Sequence, residues 1–127
     1  LMRDKPLETE VLEISGERLI VPTKSEMLRI KAVLILRRNA TRDYLDFVAM
    51  SDLIGKTATL DALKEFDVFY PQPNGQSALQ QLQIQLANPL PYDLEETNLR
   101  EYKKLRPEYQ DWSVVSEKCR EVAANLW

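Results

Sequence analysis

There is no histidine in this chain of 127 residues. That removes the Ser-His-Asp and Cys-His nucleophile systems and argues against zinc or transition-metal sites. Cysteine occurs once, so no disulfide can close within the chain, and a reducing cytoplasm is the natural setting. The three glycines, Gly16, Gly55 and Gly75, lie far apart, which rules out a glycine-rich phosphate loop or a dinucleotide fingerprint. No apolar run approaches the roughly 18 residues of a membrane span, and no signal-peptide pattern opens the chain. No internal repeat is found. Seventeen basic against twenty acidic residues leave a net charge of −3, which argues against non-specific nucleic-acid binding by bulk charge but leaves room for a local basic site.

What is present is an ordinary globular composition, 44% hydrophobic and 29% charged, enough for one domain over residues 1–127 with its own core. The pattern predicts a mainly α fold, five to six helices behind a short N-terminal β-hairpin. Residues 10–22 hold two β-type runs around Ser15-Gly16, a hairpin signal. A lone hairpin is marginal in water, so it is expected to pack on the helices or to complete a sheet whose other strands lie elsewhere. Residues 24–127 read as helical. The first helix, about 24–38, is capped by Thr23 or Ser25. The second ends at Ile54 before Gly55, and a third starts at Thr57 or Thr59 with Leu60, Leu63, Phe66 and Tyr70 on one face. Pro and Gly mark 70–75 as a loop, and Ser77 opens a fourth helix. Asp93 with Glu96 looks like a capping box for a short helix through Leu99 and Tyr102. Asp111 caps the last helix, whose stripe is Trp112, Val115, Cys119, Val122 and Leu126. Cys119 in that stripe reads as a small buried hydrophobe.

The stretch Lys31–Asp46, KAVLILRRNATRDYLD, is where chemistry could lie. It joins the end of one apolar helix to the start of another, with Thr41 expected as the second helix's N-cap. Lys31 falls among Met27 and Ile35, and Asp43 begins the second helix's stripe with Phe47, Met50 and Ile54. A buried ammonium requires an acidic partner, so Lys31 is expected largely buried against Asp43 or Asp46. Arg37, Arg38 and Arg42 are spaced to grip a phosphate, and equally to complement helix dipoles on a solvated face. Either a structural ionic cluster or a site fits this spacing.

Lys31-Ala32, an arginine at 37 or 38, and Arg42-Asp43-x-x-Asp46 resemble the K-A…R…R-D-x-x-D signature of AbiEii-type nucleotidyltransferase toxins, of the polymerase-β-like superfamily. The resemblance covers about residues 10–55. It implies Lys31, Asp43 and Asp46 as catalytic and Arg37, Arg38 and Arg42 as substrate-binding, with magnesium, a nucleoside triphosphate, an RNA acceptor and an antitoxin partner. The family's Gly-Ser and metal-holding Asp-x-Asp are absent here, so the chain itself would carry no metal or cofactor and would be inactive alone. With Leu1 at its start and an unpartnered hairpin, it reads as the C-terminal part of a larger protein. The alternative is a cytoplasmic helical protein-interaction module, without membrane contact, whose Lys-Asp cluster is structural.

Overall fold

Local signals set nearly every element boundary. The computed structural model describes residue 3, residues 5–95 and residues 107–126. Two antiparallel strands, β1 (Thr9–Ile14) and β2 (Glu17–Pro22), pair in direct register from Thr9↔Pro22 to Ile14↔Glu17. Ser15 and Gly16 both take positive φ, as a tight two-residue hairpin turn demands. Six α-helices follow among the described residues: α1 (Lys24–Arg38), α2 (Thr41–Ile54), α3 (Lys56–Lys64), α4 (Phe66–Phe69), α5 (Ala78–Ala87) and α6 (Trp112–Asn125). The fold is mainly α with an N-terminal hairpin.

Thr23, Ser77 and Asp111 each accept an N–H from the first turn of the helix they open. Gly55, at φ 91°, ends α2 and starts α3, so α3 begins before the threonines expected to open it. Thr59 instead turns inward and bonds Ser51 at 3.0 Å. The third helix is broken: the chain bends at Glu65, and Phe66 and Tyr70 reach the core from α4 and its end. The short helix expected through Leu99 and Tyr102 lies outside the described residues.

The core is one cluster. Leu28, Ala32 and Ile35 of α1 meet Tyr44, Phe47 and Val48 of α2, with Leu63, Phe66, Leu82, Leu86, Val115 and Cys119 around them. α1 packs chiefly on α2, and α5 on α6. Tyr44 and Trp112 meet edge to face at 5.9 Å.

Of the two placements expected for the hairpin, packing on the helices does not hold. The hairpin neither packs on the helices along its length nor joins another strand among the described residues. Every residue from Thr9 to Ile20 is exposed, and only Val21 and Pro22 at the base are half-covered.

Candidate functional site

The α1–α2 turn is built on Asn39, which adopts the left-handed conformation (φ 50°, ψ 37°) and closes α1 through its N–H to Ile35. Its side chain and carbonyl are also used. Asn39 Nδ2 donates to Leu90 O at 2.9 Å, the Tyr92 N–H donates to Asn39 O at 3.0 Å, and the Tyr44 hydroxyl donates to Asn39 Oδ1. The segment after α5 is thereby tied onto the turn.

Thr41 is not the cap of α2; Ala40 holds that position. Alanine offers no side-chain acceptor, so two carboxylates serve the open N–H groups of the helix start instead. Asp43 accepts the Ala40 N–H at 3.1 Å. Asp93 accepts both the Thr41 N–H and its hydroxyl at 2.8 Å. Asp93 therefore serves α2 from a remote segment.

Five of the six residues singled out in the sequence fall into two small groups. Asp43 is fully buried and receives Arg38 as well as the α2 backbone. The hydrogen bond and charge of Asp43 raise the Arg38 guanidinium above its ordinary pKa. Lys31 reaches Asp46 at 3.8 Å, and Arg42 reaches the same Asp46 oxygen at 3.9 Å. Lys31 contacts Asp46 and not Asp43, and its side chain keeps 32% of its surface exposed. The core face of α1 runs through Leu28, Ala32 and Ile35, which leaves Lys31 on its flank. Arg37 and Arg42 are exposed. In this arrangement Asp43 is occupied by a cap and a guanidinium, and Asp46 by two cations.

A second ionic cluster was not singled out in the sequence. Glu26 and Arg29 of α1 are buried, at 3.3 Å from each other. Glu26 also pairs with Arg3, and Arg29 with Glu8 at the hairpin base. Arg29 donates to Ala62 O at 3.1 Å, and both guanidinium groups lie over the Phe69 ring, at 4.5 Å for Arg3 and 4.3 Å for Arg29. Two cations and two carboxylates balance, as burial requires. The signal was available: Glu26, Arg29, Ala32 and Val33 share one helical face. A separate cleft of about 180 Å³ opens between α2, α3 and α6, where Lys118 pairs with Asp52 at 3.3 Å.

Comparison with known proteins points away from nucleotide transfer. Over 127 residues the chain is 32% identical to the mycolic acid-containing lipids exporter MmpL11 of Mycolicibacterium smegmatis. It is 34% identical over 128 residues to the probable transport protein MmpL11 of Mycobacterium leprae, and 32% identical to the heme uptake protein MmpL11 of Mycobacterium tuberculosis. Each match takes in 98% of this chain but only 12–13% of the relative. No family model and no solved structure matches.

The resemblance to AbiEii-type nucleotidyltransferase toxins is therefore corrected. It rested on a short charged run, whereas the match to transport proteins runs nearly end to end. In the structure Asp43, Asp46, Lys31, Arg38 and Arg42 are engaged in capping and ion pairing. Magnesium, nucleoside triphosphate, RNA acceptor and antitoxin were implied by that resemblance alone and have no other support.

Proposed function

We propose that this chain is an extramembrane helical domain of an MmpL11-like transport protein, serving as an interaction module on the cytoplasmic side. The observation that carries the reading is the near-complete match to a small fraction of three transport proteins. The described helices agree with it, because none is long and apolar enough to cross a membrane. The single cysteine, buried as a free thiol, suits a reducing compartment. The relatives' names speak of lipid export and of heme uptake. The domain's part in either is positional: it holds other segments of the transporter instead of handling cargo.

An epitope placed in the exposed Pro71–Gln76 loop of the native gene tests this. The tag is expected in the membrane fraction, on a polypeptide several times larger than 14.8 kDa. It is expected to resist protease in intact spheroplasts and yield after lysis. A tagged species of this chain's own mass in the soluble fraction overturns the transport reading. Cleavage in intact spheroplasts overturns the cytoplasmic assignment.

A further inference from the structure

The β1–β2 hairpin exposes Val11, Leu12, Ile14, Leu19 and Ile20, between 41% and 76% each. The register sorts its residues onto two faces. One carries Val11 and Ile20, with Glu13 directly opposite Arg18, so its charges answer each other. The other carries Leu12, Ile14, Leu19 and Val21, with Glu10 at the base and Glu17 at the tip. Its only charges are acidic, and neither glutamate lies within 4.0 Å of a cation among the described residues.

We infer that this second face is the docking surface for a basic amphipathic helix, whose apolar row covers Leu12, Ile14 and Leu19 and whose lysines or arginines meet Glu10 and Glu17. An apolar centre with charge only of one sign at its two ends selects its partner by the opposite sign. Glu17 stands opposite Ile14, four residues along from Glu10, so the carboxylates are roughly 14 Å apart at the usual strand rise. Same-face helix positions at i+7 and i+11 span about 10.5 and 16.5 Å, which brackets that distance within a lysine's reach. A second copy of the hairpin would set glutamates against glutamates. An anionic bilayer surface would be repelled by them. That the helix belongs to the same polypeptide rests on the transport reading; its chemistry does not.

The test is photocrosslinking in the full polypeptide, in its native membrane, with p-benzoylphenylalanine in place of Leu19 and, as control, of Val11 on the opposite face. The expected product from position 19 is a peptide with an apolar row and two basic residues seven to eleven apart, stronger than that from position 11. Glu10→Lys with Glu17→Lys is expected to cut the yield about tenfold, and Glu10→Gln with Glu17→Gln to cut it less, with all variants keeping their helical circular dichroism. Crosslinks to lipid, to another copy's hairpin or to an acidic segment overturn the inference. So does a yield no greater than the control's, or one indifferent to charge reversal. A basic helix captured on a different polypeptide keeps the inference and overturns only the helix's placement in the same polypeptide.

Discussion

Glu26 has no exposed surface, yet it sits between two arginines, and that makes it the residue whose change is felt most. Glu26→Gln leaves Arg3 and Arg29 without their shared carboxylate, and breaking a buried pair costs about 3–5 kcal/mol. Urea unfolding of that variant is expected to show this loss. Lys31→Met, by contrast, removes a half-exposed contact and is expected to change stability by about 0.5 kcal/mol or less. Equal losses from the two variants would contradict the placement of the ionic core in the first cluster. Burial also holds two weak acids in their neutral forms. It pushes the Cys119 thiol up to about 12 from 9.0, and the Tyr44 hydroxyl up to about 12 from 10.0. Above pH 9 the unfolded chain releases the Cys119 proton while the folded chain keeps it, so the unfolded state gains. The contribution of these two groups is thus flat below pH 9 and falls from there towards 12, by about 1.4 kcal/mol per pH unit for each group once its unfolded value is passed. Cys119→Ala should flatten the first part of that fall in an alkaline denaturation series.

Element boundaries were legible because each rests on a residue next to it. Thr23, Ser77 and Asp111 each cap the helix that comes directly after them, and Gly55 can take a backbone angle that other residues resist. A Cβ at Gly55 would meet nothing within 4 Å, so the cost of Gly55→Ala is purely backbone. About 1–3 kcal/mol is expected by thermal melting, with α2 and α3 both loosened. What was not legible came from far along the chain. Nothing near Thr41 announces that Asp93 will cap it, and nothing near Arg29 announces Glu8, Ala62 and Phe69. The charged signature at Lys31–Asp46 misled for the same reason: a local run of Lys, Arg and Asp suits a reaction and a pair of helix ends equally well. The hairpin was readable as a hairpin, but its exposure depends on what the helices leave uncovered.

At the scale of the whole molecule, the helical body's buried charges are paired, in part by Arg3 and Glu8 from the N-terminal segment, while the hairpin leaves its apolar side chains uncovered among the described residues. For heme, no imidazole is on offer and the sole thiol is enclosed, which leaves methionine and tyrosine side chains such as the exposed Tyr92 as the axial ligands this chain could supply. Titrating hemin into the chain is expected to leave a broad Soret band without the sharp low-spin form of axial ligation. A sharp, saturable shift at one equivalent would show that the domain takes cargo directly.

The hairpin's root also determines how a load would travel. Glu8 enters β1 beside the Thr23 N–H, which its carbonyl receives at 3.0 Å, and its carboxylate grips Arg29 inside α1. A tug at the Ser15-Gly16 tip is therefore delivered to the middle of the longest helix, through a joint seated on Phe69. Arg29 is enclosed but Glu8 keeps 44% of its side chain exposed, so added salt reaches the joint from its Glu8 side as it reaches the rim glutamates, and lever and grip weaken together.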